Sequence, residues 1–343
     1  MTSLGIVVVS FGNTDDILQF TNQVQKQLRK GDKLVVVDNK PGADLAGFFS
    51  ANSSAVEVIE HNNGGFGAGA NFGAQWVLNQ SQNGRGNVDV ILLLNPDMQI
   101  AQDDFLDRMR IGADKFDAWQ GVILNSEDEL IQAAFVPLHI TGISYSGMFG
   151  KPLDMLSEDM EVSGISGGCF AVKSEWWIKS GGMCEPFFMY YEDRDLSTRL
   201  KLMGAKLGVV KDAHILHDYE FQKLGYKWKY LELNRLRSIL ITFPTRLIVL
   251  TLVPNLCFNF LIFLQYLFSG KPLTKISADL QFLHDIPWCL RQRKKLKSQI
   301  KTTRKEFFSW LDWAFDSTQM KPFNSPIVNA CFHVYYKFIR LFA

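Results

Sequence analysis

The sequence predicts an α/β protein in which helices cover a largely parallel β-sheet, and two observations support this fold class. The first is a set of short runs rich in valine, isoleucine and leucine, which are typical of buried parallel strands and are each followed by turn-forming residues. These runs are Ile6–Ser10, Leu34–Val37 and Val90–Leu94. The second is a pair of helical segments between them, at Asp15–Arg29 and Ala68–Asn79. Alternating strands and helices predict right-handed crossovers.

Charge is distributed unevenly along the 343 residues, of which 47% are hydrophobic and 21% are charged. This composition favours a packed core over disorder. Residues 1–238 contain 22 basic and 30 acidic side chains, whereas residues 239–343 contain 14 and 5. The asymmetry predicts two parts in different surroundings. We expect an α/β domain at residues 1–240 and a helical, apolar and basic extension at residues 241–343.

The cysteines and the N-terminus predict a cytoplasmic protein. The five cysteines are scattered and contain no C-x-x-C pair, which disfavours a disulfide framework or a zinc site. The first residues enter an apolar run without a basic region or a cleavage site typical of a signal peptide.

Polar residues follow each predicted strand, at the edge where open α/β sheets bind ligands. They lie at Ser10–Asn13, Asp38–Asn39 and Asn95–Asp97. Because hard cations prefer oxygen ligands, Asp97 could hold Mg²⁺ or Mn²⁺ against a diphosphate. The alternative is an ordinary turn acid, since the Pro96–Asp97 pair favours turns.

The glycine-rich segment Asn62–Asn71 opens the second predicted helix. Its glycines allow the backbone to approach a ligand closely, and a helix N-terminus favours anions. A relaxed dinucleotide-binding pattern is present at Gly65–Ala70, but that pattern requires an acid at the end of the next strand. Asp89 precedes the strand Val90–Leu94 instead, so a dehydrogenase is disfavoured.

The densest carboxylate cluster, Glu192–Asp195, follows the aromatic segment Pro186–Tyr191. Partial burial beside aromatic side chains can raise the pKa of a carboxylate toward that of a useful base. The alternative is a helix N-terminus, where acids interact favourably with the helix dipole. One residue could serve both purposes.

Beyond this cluster, the pattern predicts a helix at Leu196–Met203 that stops at Gly204. A short strand follows at Leu207–Val210, and His214 and His217 come after it. His217 is a candidate metal ligand or phosphate contact, with a structural hydrogen-bonding role as the alternative.

Seven motifs in order resemble the family 2 inverting glycosyltransferases, specifically their bacterial rhamnosyltransferase-like branch. They are Val7–Asn13, Val35–Asn39, Asn62–Asn71, Leu93–Asp97, Ser166–Phe170, Phe187–Leu196 and His217. The resemblance covers about residues 4–240, and it implies the GT-A fold, a nucleotide-binding α/β sheet continuous with an acceptor half.

The resemblance also implies roles for individual residues. The donor nucleotide sugar is expected to contact Ser10, Asn13, Asp38, Asn63, Gly67, Asn71 and Asn95. Asp97 takes the place of the last acid of the D-x-D metal motif, in which Asn95 replaces the first acid, so that Mg²⁺ or Mn²⁺ would rely on Asp97 and His217. Asp193 matches the general base. Glu192 is expected beside it, and Gly167, Gly168 and Asp195 are expected to support the base or the acceptor.

The C-terminal part contains two segments suited to a membrane surface. Leu247–Gly270 has 24 residues without a charge, although Pro254 interrupts it, and Arg291–Lys305 has eight basic residues and no acid. A polybasic segment beside apolar residues predicts peripheral or re-entrant anchoring to anionic lipid. The alternatives are a helical subdomain packed on the first domain or a homo-oligomer interface. Nucleic acid is disfavoured as a partner, because no recognition motif accompanies the run.

Together these features predict an inverting hexosyltransferase that moves a sugar, with dTDP-L-rhamnose favoured as donor, to a saccharide acceptor. A membrane-bound tail would suit a lipid-linked acceptor in bacterial surface-polysaccharide (O-antigen) synthesis. Three alternatives stay open: a UDP-hexose (galactose or N-acetylglucosamine) transferase, a nucleotidyltransferase, and a non-catalytic membrane-docked scaffold.

Overall fold

The computed structural model describes residues 2–12, 14–40, 42, 44–52, 56–80, 88–217, 227–321 and 323–342. Asn13, one of the expected donor contacts, lies outside the described residues. The strands are β1 (Leu4–Ser10), β2 (Lys33–Asp38), β3 (Glu57–Glu60), β4 (Val90–Leu94), β5 (Met98–Gln99), β6 (Ala118–Leu124), β7 (Ile131–Ala133), β8 (Leu138–His139), β9 (Met160–Glu161), β10 (Cys169–Lys173), β11 (Leu207–His217) and β12 (Leu311–Asp312). The helices are α1 (Thr14–Gln25), α2 (Leu45–Ala51), α3 (Phe66–Gln80), α4 (Phe105–Lys115), α5 (Ser174–Ser180), α6 (Glu192–Leu202), α7 (Lys227–Thr242), α8 (Thr245–Leu250), α9 (Leu252–Phe268), α10 (Pro272–Lys297), α11 (Arg304–Ser309) and α12 (Pro326–Arg340).

A central sheet carries the fold, in the order β3-β2-β1-β4-β10-β6-β11-β5, with β7 beside β6 and β9 beside β11. The first four strands are parallel, whereas β10 runs antiparallel to β4 and β6. The three strands expected from the sequence are therefore confirmed, and they are buried along their lengths. The register pairs Ser10 with Asp38, so that these two residues lie side by side at the carboxyl edge.

Three elements differ from their expected bounds by four residues or more. Helix α1 ends at Gln25 rather than Arg29, and the Asp32 carboxylate accepts a hydrogen bond from the Arg29 backbone (2.7 Å) in the turn that follows. Helix α6 begins at Glu192, four residues early, although the glycine after it is confirmed as the stop, with Gly204 at φ 94°. His217 lies within β11 rather than after a short strand, because a bulge carries the chain past its polar residues and pairing then resumes.

The C-terminal helices pack on the α/β part through a shared apolar cluster. Leu138, Phe187 and Tyr191 belong to it together with residues beyond position 240, such as Phe243 and Phe307. The expected boundary at residue 240 falls inside α7. It stays a proposal.

The uncharged segment at residues 247–270 is divided between α8 and α9, with Thr251 between them. Among the described residues, no helix combines the length and the apolar character needed to cross a membrane. The basic run is likewise divided between the end of α10 and the start of α11.

Candidate active site

The carboxyl edge of β1 and β2 forms one wall of the candidate site. Ser10 is fully buried, and its hydroxyl has no hydrogen-bond partner within the described part of the chain. The Asp38 side chain is also buried, and it accepts a hydrogen bond from the Lys40 backbone (3.1 Å). Buried polar atoms without partners are rare in folded proteins and often mark functional sites. The structure thus brings two of the expected donor contacts together.

Asn39, to which the sequence assigned no role, organises the glycine-rich segment. Its Nδ2 donates to the Gly65 carbonyl (3.1 Å) and to Asn63 Oδ1 (3.4 Å), and its Oδ1 accepts from His61 Nδ1 (2.8 Å). Asn63 Oδ1 in turn accepts from the Gly65 amide (3.1 Å). The only sequence signal for Asn39 is its place directly after a strand.

The glycine-rich segment packs against the turn that precedes the carboxylates. The Phe66 amide donates to the Phe188 carbonyl (2.8 Å), and a Cβ added at Gly65 would lie 1.9 Å from that same carbonyl oxygen. A Cβ added at Gly67 would lie 3.3 Å from Cβ of Met183 and 3.7 Å from Cβ of Glu192. Gly67 therefore allows helix α3 to approach Met183 closely, with the first turn of α6 in ordinary contact.

Asn71 connects α3 to the loop before that turn. Its Nδ2 donates to the Met183 carbonyl (2.9 Å) and to the Glu185 carboxylate (3.0 Å), while its Oδ1 accepts from the Met183 amide (2.9 Å). These contacts give Asn71 a positioning role. Its expected contact with the donor stays a prediction.

The turn before α6 has an unusual backbone. Phe188, Tyr190 and Tyr191 all have positive φ angles, of 62°, 63° and 70°. Side chains other than glycine rarely adopt this region, and such strain concentrates at functional sites. The turn leads directly into α6, whose first two residues are Glu192 and Asp193.

Asp193 and Glu192 differ in their surroundings. Asp193 Oδ2 accepts from the Gly167 amide (2.8 Å), and its Oδ1 accepts from the Arg194 amide (2.7 Å). Burial raises the pKa of Asp193, although these two hydrogen bonds and the Arg194 charge oppose the increase. Glu192 is buried, and its Oε2 has no partner among the described residues. Burial and the neighbouring Asp193 charge raise the pKa of Glu192 to about 8. The two backbone amides and the Arg194 charge favour the ionised form of Asp193, whereas Glu192 Oε2 has no such donor among the described residues, so Glu192 is the member of the pair that more readily keeps a proton.

Asp195, the next acid of α6, forms an ion pair within that helix. It is buried, and its Oδ2 pairs with Arg199 Nε at 2.6 Å. Arg199 also donates to the carbonyls of Ser180 (2.8 Å) and Gly182 (2.7 Å), which ties α6 to the loop after α5. Glu192 and Asp193 begin a helix and also form a buried carboxylate pair with raised pKa values, and their catalytic role stays a prediction.

Gly167 and Gly168 link this pair to the end of β4. Gly167 donates to Asp193, and the Gly168 carbonyl accepts from the Asn95 amide (3.0 Å). A Cβ at Gly168 would lie 2.5 Å from Cε of Met98. The two glycines thus allow the β4 edge to approach the carboxylates.

Asp97 and His217 meet beyond the end of β4. His217 Nε2 lies 3.3 Å from Asp97 Oδ1, while its Nδ1 donates to Gln132 Oε1 (2.7 Å). Burial acts to raise the pKa of Asp97, but the hydrogen bond and charge of His217 outweigh it and hold that pKa below its ordinary value. Gln132, which the sequence did not indicate, fixes the imidazole so that Nε2 faces Asp97.

This pair fits a divalent cation with two protein donors. Asp97 presents a carboxylate that is 53% exposed, and an imidazole nitrogen lies beside it. Among the described residues, no group of three or more His, Cys, Asp or Glu side chains is arranged for a metal. The remaining ligands would therefore come from a diphosphate and water, as Mg²⁺ commonly arranges them.

Comparison with known proteins decides the class of enzyme. No model of a known protein family matches the chain. The chain is 24% identical over 258 residues to the rhamnosyltransferase WbbL of Escherichia coli, covering 68% of this chain and 94% of that protein. It is 22% identical over 235 residues to the low-salt glycan biosynthesis hexosyltransferase Agl10 of Haloferax volcanii, covering 67% of this chain and 72% of that protein.

This chain is a glycosyltransferase. Among solved structures, it matches that of GalNAc-T7 with UDP, GalNAc and Mn²⁺ at a TM-score of 0.55 and 15% identity, over 70% of this chain and 48% of that one. This likeness concerns the fold, and the expected GT-A fold is confirmed.

Proposed function

We propose that this glycosyltransferase inverts the anomeric centre as it moves a sugar, with dTDP-L-rhamnose favoured, from a nucleoside diphosphate to a saccharide acceptor. The observation that carries the proposal is the buried carboxyl pair, in which Asp193 accepts from two backbone amides beside Glu192 and close to the glycine-rich segment. The relative named a rhamnosyltransferase supports the rhamnose donor. The relative named a hexosyltransferase keeps a UDP-hexose as the second candidate.

The proposed reaction is a single displacement. Asp193 accepts the proton of the acceptor hydroxyl while that oxygen attacks the anomeric carbon from the face opposite the diphosphate. The bond from the anomeric carbon to the diphosphate oxygen breaks, and its electron pair leaves with the nucleoside diphosphate. Glu192 stays protonated and lends no second negative charge. A general base of this kind contributes about 10²–10⁴-fold to the rate.

The donor is proposed to lie across the carboxyl edge of the sheet. Asp38 and Ser10 would contact the nucleoside, with Asn63 and Gly67 bordering the donor and Asn95 near the diphosphate. Asp97 and His217 would hold the metal, which neutralises negative charge on the leaving diphosphate when it is bound. Asp195 and Gly167 would support the base.

The first test is calorimetric titration of the chain with dTDP and UDP sugars, each with Mn²⁺ or Mg²⁺ and with a chelator. We expect Asp97→Ala to weaken binding in the presence of metal at least tenfold, and to change binding in chelator little, because it removes the only carboxylate of the pair. Asp103→Ala is the matched control, since Asp103 is an exposed acid a few residues along the chain. An equal gain from metal in the wild type and Asp97→Ala would contradict the metal role, and no donor binding at all would favour the scaffold alternative.

The C-terminal helices are proposed to rest on an anionic membrane surface at the cytoplasmic face, where a lipid-linked acceptor would be available. Helix α10 exposes an apolar stripe at three- and four-residue spacings, and its last turns are basic. The stripe consists of Leu273, Ile276, Leu280, Leu283 and Leu290, which are 41–77% exposed. A helix with apolar side chains outward and lysine and arginine nearby is typical of an interfacial helix.

Vesicle sedimentation at low salt tests this surface. We expect the double variant Leu280→Ser, Leu283→Ser to lower the partition coefficient onto vesicles with anionic lipid at least tenfold, because two apolar side chains no longer enter the interface. His284→Ser is the matched control on the same helix, since His284 is exposed and polar. Equal partition of wild type and double variant would contradict the proposal. A wild-type dimer that the double variant dissociates would assign the stripe to a second copy instead.

A further inference from the structure

The amide of Asn234 reaches from α7 into the strained turn before the carboxylates. Asn234 is fully buried, and its Nδ2 lies 2.8 Å from the Phe187 carbonyl oxygen, 3.0 Å from that of Met189 and 2.9 Å from that of Tyr190. One side-chain nitrogen therefore lies within hydrogen-bond distance of three of the four carbonyls of the turn at residues 187–190, while the fourth, that of Phe188, accepts from the Phe66 amide. Loss of this amide would remove a buried donor that ties α7 to the turn at three points.

The orientation of this amide is determined by a second side chain of α7. Arg237 Nη1 donates to Asn234 Oδ1 (2.9 Å) and to the Pro186 carbonyl (2.8 Å). Because a guanidinium only donates, Asn234 must present its oxygen to Arg237 and its nitrogen to the turn. Asp285 of α10 accepts from Arg237 Nε (3.0 Å) and so completes the chain of contacts.

The turn in question determines where the carboxylates lie. Its positive φ angles at Phe188, Tyr190 and Tyr191 place Glu192 and Asp193 at the start of α6, where Asp193 meets the Gly167 amide. Residues other than glycine rarely adopt such angles, so the turn needs contacts from its surroundings to hold it. The stacking of Phe188 on Tyr230 of α7, at 5.3 Å between ring centroids, is a second contact of the same helix with the turn.

We infer that Asn234 is a positioning residue, which holds the left-handed turn and thereby places Asp193 for proton transfer. The inference rests on the proposed function of Asp193. It extends the active site to α7, the helix in which the proposed domain boundary at residue 240 falls, and through Arg237 and Asp285 to α10. Asn234 touches no reacting atom and acts only through the backbone of the turn.

The test is Asn234→Leu, which keeps the number and branching of the side-chain heavy atoms and removes the donors. Calorimetry gives donor affinity and the number of binding-competent chains, and kcat is expressed per competent chain. We expect kcat to fall at least tenfold while the donor KM and donor affinity change less than threefold, because the donor wall at Ser10 and Asp38 is untouched. A merely structural role would lower the number of competent chains and leave kcat per competent chain unchanged, which would overturn the inference. Asn329→Leu is the matched control, since Asn329 also binds a backbone segment, at Phe315, away from the turn.

Hydrogen exchange of the wild type and Asn234→Leu separates this inference from the proposed function. We expect exchange to accelerate at least tenfold in the peptide 185–195 and to stay unchanged in β1 and β2, whether or not a transfer activity is found. If the wild type is inactive but this exchange pattern is found, the proposed function is refuted, whereas the conclusion that Asn234 stabilises the turn stands. Unchanged exchange in the peptide 185–195 would refute the inference itself. If Asn234→Leu does not fold, Arg237→Lys removes the fork that orients the amide, and we expect the same changes at smaller size.

Discussion

Replacing Asp193 with asparagine is expected to lower kcat at least about a hundredfold while the affinity for the donor changes less than threefold. Asparagine keeps the shape of the side chain and can still accept from the Gly167 amide, but it cannot take up a proton. The acceptor hydroxyl then attacks without a base, whereas the donor contacts at the β1 and β2 edge remain. The measurement is steady-state turnover together with calorimetric donor titration.

The pH dependence of the wild type follows from the same carboxylate. Because burial raises the pKa of Asp193, and only the ionised form is a base, kcat should rise with pH through a pKa above the ordinary value of 3.8. This rising limb should be absent in Asp193→Asn. A variant whose profile still shows the limb would assign it to a different group.

Glu175→Gln is the matched control for this variant. Glu175 is an exposed acid in the first turn of α5, so its replacement removes the same favourable interaction with a helix dipole without touching the candidate site. We expect kcat of Glu175→Gln to stay within twofold of the wild type. Near-full activity of Asp193→Asn would mean that the acid only stabilises the helix N-terminus, and the assignment of the base would be wrong.

Gly65→Ala is expected to give the second large effect, on both stability and activity. A Cβ at this position would lie 1.9 Å from the Phe188 carbonyl oxygen, and Gly65 has a φ of 90°. Backbone strain and overpacking together are expected to cost roughly 3–4 kcal/mol of unfolding free energy. The chain can relieve the clash only by moving the turn away, which also displaces Glu192 and Asp193. Urea unfolding and kcat measure the two consequences.

Gly150→Ala separates the clash from the backbone strain. Gly150 has a φ of 72°, and a Cβ there would meet no heavy atom within 4 Å. In this control only the strain of the left-handed conformation lowers the free energy of unfolding, by about 1 kcal/mol, and the activity should be unchanged. Equal losses of stability in the two variants would show that the contact between the glycine-rich segment and the turn is unimportant.

Local patterns in the sequence were sufficient for the framework of the site. The strands that end at Ser10, Asp38 and Leu94 were predicted because a buried parallel strand requires a continuous run of branched apolar residues, and that requirement is met within a few positions. Because these strands were expected to be parallel, the edge at their carboxyl ends could be predicted as the ligand-binding edge. The acids Glu192 and Asp193 were recognisable by their place after an aromatic segment, and their roles came from the order of motifs along the chain.

Only the tertiary structure determined which distant side chains contact the strands, the turn and the site residues. Asn39 meets Gly65, Gln132 meets His217, and Asn234 meets the turn at 187–190, each across 26 or more residues for which no local pattern exists. Strand β11 continues through a bulge to His217 because β6 offers a partner, although its own sequence is interrupted by polar residues. Hydrophobic periodicity and turn chemistry are properties of neighbours along the chain, so the sequence by itself determined the strands and the acids. A hydrogen bond between distant residues depends on the packed backbone, so only the fold decided which side chains hold those acids in place.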